Sequence, residues 1–388
     1  MSKGRVLIAT YAFPPEEGGV SMAAYEMACD LKSLGWDIHV ITQATHLPKA
    51  SNLPSYYPIT TIPDSLTNDS ERLKEYLNTL LKEVQPDVII YHAWADWCRE
   101  ELLNVAQKIN IPFILRSHGV ASNFRSFFRW DYPPCFGMKK WLCSFFKIRR
   151  NILSICKQSP LNHIVFLDPY GSLFKSFDYF YASKNNIPGY TCIPNTFSAI
   201  KKKTPFFKEK YHLNSALVFT YIASACNRKQ QLIFIRHVKR IKLKNIIFLF
   251  LVPHHNSYAA QMEQAIENDP RFKILYNLPR QEIEAAITES DAVFLYSFQE
   301  QQPLCILEAM SCGTPWFAPN VGAISTLKGG IVLQKTSTSC LRKAVKSLQN
   351  KAKREQLGQE GLNLWKTRYA PEVVYKQWEK LLSSFSRH

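Results

Sequence analysis

Residues 300–314 read Glu-Gln-Gln-Pro-Leu-Cys-Ile-Leu-Glu-Ala-Met-Ser-Cys-Gly-Thr. The β-rich run 292–296 just before them predicts a strand. Pro303 stands where a helix should begin, Leu304–Ser311 carries the helix, and Gly313 followed by Pro315 stops it. Proline just inside a helix and glycine just past it is the asymmetry expected of helix ends. The order is strand, short loop, helix. Such a loop presents backbone N–H groups at the positive end of a helix dipole, which makes an anion site. Two carboxylates bracket it, Glu300 in the loop and Glu308 one turn past Leu304. Glu308 is the only charge in an otherwise apolar and small helix, so burial would demand a partner for it. The set suits a ligand that joins an anion to hydroxyl groups.

Outward from this stretch, strands and helices alternate. Residues 5–10 form an apolar strand, Tyr11 to Val20 follow with Gly18 and Gly19, a helical pattern ends at Gly35, and 37–42 is a second strand. Strand, glycine loop, helix and strand make a βαβ unit. The glycines permit a tight turn or close approach of a ligand. Their spacing is not G-x-G-x-x-G, so the dinucleotide fingerprint is absent. The alternation continues through expected strands at 87–91, 112–116, 163–167 and 190–193, with helices at 71–84, 97–109 and 170–183. The strand 112–116 runs into Ser117-His118-Gly119, and 190–193 into Pro194-Asn195. These carboxyl ends are the edge at which open α/β sheets bind ligands. After Lys201-Lys202-Lys203, residues 204–214 read as a linker. A second series then begins, with strands at 217–222, 246–252, 272–276, 291–296 and 329–333 and helices at 230–241, 258–267 and 280–287; further helices close the chain, the last at 371–384.

The 388 residues imply two domains at roughly 100 to 200 residues each. With 46% hydrophobic and 20% charged residues the chain is of ordinary globular composition. No apolar run approaches the ~18 residues of a membrane span. Met-Ser-Lys-Gly-Arg leading at once into Val-Leu-Ile-Ala reads as a first strand rather than a signal peptide, and the expected location is cytoplasmic. Ten scattered cysteines without Cys-x-x-Cys or zinc spacing read as reduced core residues. A net charge of +17 points to anionic partners: nucleic acid, an anionic membrane surface or phosphorylated substrates.

With these residues in view, the chain resembles the family 4 retaining glycosyltransferases. Residues 300–315 look like their E-x7-E motif. Phe13-Pro-Pro-Glu-Glu-Gly-Gly resembles the family's glycine loop, Ser117-His118-Gly119 its first-domain histidine, Ile193-Pro-Asn195 a turn near the domain crossing, and Arg228-Lys229 the basic pair of the second domain. Ser297 matches a serine that closes the preceding strand. Proline at 303 and the strand end Ala223-Ser224 resemble one branch of the family.

The resemblance implies an α/β chain of GT-B fold, two Rossmann-like domains facing across a cleft. Residues 1–200 would bind the acceptor, with 371–388 crossing back onto them, and 206–370 would bind a nucleotide-sugar. It implies transfer of a sugar from a nucleotide-diphosphate sugar to a hydroxyl acceptor, with lipid-linked or polysaccharide intermediates among the acceptors. His118 and Glu300 would act at the reacting sugar, and Glu308 would hold the ribose hydroxyls. Arg228, Lys229 and the backbone N–H groups near Leu304 and Cys305 would hold the diphosphate, with Gly18, Gly19 and Ser297 completing the donor contacts. The sequence contains no Asp-x-Asp, so the reading expects no metal and no cofactor. Cations and helix N–H groups placed where charge develops stabilise such a transition state selectively.

Residues 123–157 break the α/β rhythm. They hold eight Phe or Trp and eight Lys or Arg against one acid, Asp131. Three readings stand: a local aromatic core, a peripheral face on an anionic membrane, and nucleic-acid binding by stacking. Membrane is preferred to nucleic acid, because the stretch lies in the expected acceptor domain. Other classes remain open: a different GT-B-like enzyme such as an epimerase or phosphorylase, and a non-enzymatic basic membrane-binding protein.

Overall fold

Runs such as Ile246–Val252 (Ile-Ile-Phe-Leu-Phe-Leu-Val) are apolar on both sides of the pleat, so they are stable only with both sheet faces covered. The computed structural model meets that demand twice. It describes residues 2–14, 18–43, 57–94, 97–119, 146–147, 149–156, 159–168, 176–200, 206–213 and 216–385. Two units are distinguished by their contacts: Met1–Thr196 together with Pro371–His388, and Phe197–Ala370.

The first unit is built on seven strands: β1 (Arg5–Ala9), β2 (Asp37–Gln43), β3 (Ile59–Ile62), β4 (Val88–His92), β5 (Phe113–Arg116), β6 (Asn162–Phe166) and β7 (Tyr190–Cys192). All pairs are parallel, in the order β3-β2-β1-β4-β5-β6-β7. The period of two divides the core. Leu7, Ala9, Ile89, Tyr91, Phe113 and Leu115 face the helices Ser70–Val84 and Arg99–Lys108, while Val6, Ile8, Val88, Ile90 and Ile114 face the helix Gly19–Ser33. The helix Ser70–Val84 turns Leu73, Leu77, Leu80, Leu81 and Val84 inward, and Asp69 caps it by accepting from the Arg72 amide at 3.2 Å. The last helix, Pro371–Ser383, puts Val374, Tyr375, Trp378 and Leu382 into the same cluster as Val6 and Ile8. The Arg116 guanidinium lies 5.4 Å from the Trp378 ring centre.

The second unit carries β8 (Leu217–Ile222), β9 (Ile246–Val252), β10 (Phe272–Tyr276), β11 (Ala292–Phe294), β12 (Trp316–Pro319) and β13 (Gly330–Leu333). They are parallel in the order β10-β9-β8-β11-β12-β13. Its core is aromatic: Phe294 stacks on Phe234 at 4.5 Å and on Phe317 at 5.0 Å. The helix Lys351–Leu364 docks through bare backbone. A Cβ on Gly358 would lie 2.0 Å from the Gly313 carbonyl oxygen, and one on Gly329 would lie 2.4 Å from the Gly361 Cα.

The structure departs from the sequence reading at several places. The reading omits β3 and β12. β3 is a four-residue edge strand, and β12 is bounded by Pro315 and Pro319, which mask its strand character. The presumed linker is partly docked: Phe207–Lys210 is helical, Phe207 is buried, and the Glu289 carboxylate accepts from the amides of Phe206, Phe207 and Lys208 at 2.9 to 3.0 Å. The helix expected over 170–183 is Phe177–Lys184, and 169–175 lie outside the described residues. Most of 123–157 also lies outside them. Of the described part, 149–156 is helical; Phe146 is 56% exposed and Lys147, Arg149 and Arg150 are exposed, while Ile152, Ile155 and Cys156 are core. Among the described residues no helix is long and apolar enough to cross a membrane.

One carboxyl in the first unit opposes its own ionisation. Burial, then the charges of Glu26 and Glu372, push Asp30 up from the ordinary 3.8 to about 7, against the hydrogen bond from Tyr375. The folded chain therefore holds this proton at pH values where the unfolded chain has lost it. Stability falls as pH rises from about 4 to about 7 on this group's account. Asp30→Asn should raise the melting temperature by several degrees at pH 8 and leave it unchanged near pH 4, as scanning calorimetry at the two pH values would read; an equal shift at both would contradict the assignment.

Candidate active site

In a parallel sheet whose crossovers diverge, the strand ends at the divergence open a crevice. In the second unit that point lies between β8 and β11. Arg228 and Lys229 follow β8 in the short 3-10 turn Asn227–Lys229, which ends at Gln230 in the left-handed region (φ 56°). Ser297 to Glu300 follow β11. The two loops are joined directly. Phe298 donates its amide to the Arg228 carbonyl at 3.1 Å, and the Tyr221 hydroxyl donates to the Lys229 carbonyl at 2.6 Å. Having spent its one hydrogen there, the Tyr221 oxygen accepts from the Ser297 hydroxyl at 3.1 Å. Ser297 is fully buried, so its hydroxyl ties the strand ends together beneath the loops.

Above this link, Lys229 Nζ meets Glu300 Oε1 at 2.5 Å, with both side chains largely enclosed. Arg228 is exposed. The helix Leu304–Ser311 starts as read from the sequence. Pro303, however, is its N-cap (φ −70°, ψ 122°) rather than its first helical residue, because a cap needs extended ψ. No side chain caps this helix, and the Pro303 carbonyl accepts from Ile306 and Leu307. The amides of Leu304 and Cys305 thus lack partners within the helix and present their hydrogens at its positive end. Glu308 is buried and finds its partner in Arg280, at 2.7 Å from Oε1. Arg280 in turn lies 4.6 Å from the Phe197 ring centre and bonds Glu284 at 3.1 Å. Glu308 and Arg280 form an ion pair, the arrangement a buried carboxylate requires.

Gly322 positions the Glu300 loop. It sits at φ +51°, and a Cβ there would lie 2.2 Å from the Gln301 carbonyl oxygen and 2.4 Å from that of Glu300. The neighbouring Ala323 amide donates to Gln301 O at 2.7 Å. Any side chain at 322 would push this loop outward.

In the first unit the corresponding edge carries His118 and the glycine loop. Gly18 is the N-cap of the helix Gly19–Ser33 with extended backbone (φ 162°), and a Cβ at either glycine would meet nothing within 4 Å. The tight-turn reading of these glycines therefore gives way to open backbone that a ligand can approach; 15–17 lie outside the described residues. Ser117 is pinned by its amide to Val165 O at 2.8 Å and by its hydroxyl to the buried Asp178 carboxylate. Trp94 Nε1 donates to Asp178 at 3.0 Å, and the Gly119 amide donates to the Ser117 oxygen at 2.9 Å. His118, half-buried, is 3.0 Å from His92 Nδ1 through its Nε2. Burial, His92 and Arg116 hold His118 well below the usual histidine value, so it is neutral at pH 7.

The structure thus gathers Arg228, Lys229, Ser297, Glu300, Leu304, Cys305 and Glu308 in the second unit, and Gly18, Gly19 and His118 at the strand-end edge of the first. Sequence reasoning missed Arg280, Gly322, Tyr221 and His92. Only His92 carried a usable signal, as a histidine closing a strand on the same edge as His118.

Two family models match the chain: "Glycosyltransferase Family 4" over residues 17–151 and "Glycosyl transferases group 1" over residues 216–351. No curated protein matches by sequence. Among solved structures the chain is similar to sucrose-phosphate synthase from Thermosynechococcus elongatus (14% identity, TM-score 0.76, covering 98% of this chain and 99% of that one). It is similar to Anabaena Alr3699/HepE in complex with UDP (15% identity, TM-score 0.76, 98% and 100%). It is also similar to WaaG, described as a glycosyltransferase involved in lipopolysaccharide biosynthesis (12% identity, TM-score 0.69, 99% and 100%). At these identities the likeness establishes the two-domain α/β GT-B fold. The two family matches fall one in each unit and together take in most of the sequence, and by them the chain belongs to the family 4-type glycosyltransferases.

Proposed function

We propose that the protein transfers a sugar, with retention of anomeric configuration and without a metal ion, from a nucleoside-diphosphate sugar to a hydroxyl acceptor. The observation that carries this reading is the Lys229–Glu300 pair set beside the uncapped amides of Leu304 and Cys305 at the β8/β11 divergence. It offers a cation and helix N–H groups to a diphosphate, and a carboxylate to sugar hydroxyls, within one loop cluster. As the bond from the anomeric carbon to the diphosphate oxygen breaks, positive charge grows on the sugar and negative charge on the leaving group. Glu300 answers the first, and Lys229, Arg228 and the helix amides answer the second. Glu308, oriented by Arg280, takes the ribose hydroxyls. Support for a nucleotide donor comes from the fold's relatives, one of which is described in complex with UDP-glucose. The lack of Asp-x-Asp supports cationic side chains in place of a metal. In the first unit His118 and the open backbone of Gly18 and Gly19 offer hydrogen-bonding groups suited to sugar hydroxyls. Exposed Phe146, Lys147, Arg149 and Arg150 suit a peripheral anionic membrane surface, which fits a lipid-linked or polysaccharide acceptor.

A panel of UDP-, GDP- and ADP-sugars, read first by thermal shift and then by turnover, identifies the donor. With that donor, Lys229→Ala should lower kcat/KM by about 100-fold, and Glu308→Gln should raise the donor KM by about tenfold. Unaltered kinetics in a folded Glu308→Gln protein would sink the ribose assignment. EDTA should leave the rate unchanged; loss of activity that Mn²⁺ restores would overturn the metal-free reading. Gly322→Ala should cost about 100-fold in kcat by displacing the Glu300 loop, with circular dichroism confirming that the variant is folded; near-normal kcat would show that the loop tolerates the shift.

A further inference from the structure

The first unit contains a second histidine that the proposed reaction does not use. His92 ends β4, is 0% exposed, and sets its Nδ1 3.0 Å from Nε2 of His118, the rings tilted by 31° at 5.2 Å. Its other nitrogen, Nε2, is buried with no hydrogen-bond partner among the described residues. The ring also lines a cavity of about 10 Å³ with Arg116, Asn195, Tyr375 and Trp378, which His118 does not line. Burial and the Arg116 charge push His92 down to about 3, so both imidazoles are neutral at pH 7.

Two neutral imidazoles in contact share one hydrogen, and there are two ways to place it. Either His92 donates from Nδ1, leaving its Nε2 as a bare lone pair, or His118 donates from Nε2, leaving His92 with an N–H on Nε2. The second choice strands a buried N–H, because no acceptor among the described residues lies within hydrogen-bond reach of His92 Nε2. Arg116 has only donors. A buried lone pair beside a guanidinium is the cheaper state, since orphaned N–H groups are rarer and costlier than under-satisfied acceptors. Its Nε2 occupied by the hydrogen from His92, a neutral His118 must carry its own hydrogen on Nδ1.

We propose that His92 is a positioning residue that fixes His118 as the Nδ1–H tautomer, so that His118 meets the sugar as a neutral hydrogen-bond donor rather than as a base. The inference rests on the glycosyltransferase reading only for the identity of the ligand; the tautomer itself is a property of the protein alone. Proton transfer is not part of the role, because a ring fixed in this way has no free lone pair: Nε2 accepts from His92 and Nδ1 carries the hydrogen.

The decisive experiment is a long-range ¹H–¹⁵N correlation spectrum of the ¹⁵N-histidine protein at pH 7, with His118 assigned by His118→Gln. A protonated Nδ1 and a bare Nε2 on His118 are expected; the reverse pattern, or an imidazolium, overturns the proposal. Kinetics add a readout that a merely structural role would not move. His92→Phe should lower kcat by about tenfold with the donor KM unchanged. His92→Asn, which returns an amide N–H to the position of Nδ1–H, should recover most of that loss at equal melting temperature. Equal kcat losses in both variants would overturn the donor role. If the parent protein turns over no nucleotide-sugar at all, the functional reading fails, while the spectrum still decides the tautomer.

Discussion

A sheet of parallel strands sends every carboxyl end to one edge, and that constraint organises both units. Where crossovers leave toward opposite faces, two neighbouring strand ends have no helix closing over them. The β1/β4 and β8/β11 borders are those places here. Lys229 and Glu300 are brought together only because β8 and β11 are neighbours, although 71 residues separate them in the chain. The Tyr221–Ser297 link then sets the distance between the two loops from below, so the ion pair sits on a braced floor.

Its charges are arranged in compensating pairs. Lys229 meets Glu300 with both side chains largely enclosed, and the partly exposed Arg280 meets the buried Glu308. Removing water from one charge alone costs several kcal/mol, and each partner offsets most of that. A diphosphate with hydroxylated sugars offers both kinds of replacement at once, an anion for the lysine and hydrogen-bond donors for the carboxylates. On the proposed reading, the cluster would exchange internal partners for ligand partners with little net change in solvation.

Legibility in the sequence followed the range of the forces involved. Elements fixed by local pattern were readable to within a residue or two: β8, β9, β10 and the helix Leu304–Ser311 have the bounds that apolar runs, Pro303 and Gly313 mark out. Glu308 was readable as a charge in need of a partner, but Arg280 was not readable as that partner, since nothing in a helix start after Pro279 points 28 residues ahead. Gly322 and His92 escaped for the same reason: their roles are set by what packs against them through space. β12 escaped because prolines at both ends imitate a loop, while hydrogen bonds from β11 and β13 supply what propensity withholds.

The backbone contacts of the helix Lys351–Leu364 have a consequence for how the sequence can drift. Where a large side chain meets a small one, a change at one position can be answered by an opposite change at the other. Gly358 against the Gly313 backbone, and Gly329 against the Gly361 backbone, leave no such exchange open, because the partner they meet is backbone and cannot shrink. Lys229 and Glu300 could in principle swap signs together, and core phenylalanines could trade volume. Gly358 and Gly329 therefore have no neighbouring sequence to move to, so this corner of the second unit is a fixed point around which the rest of the chain can vary.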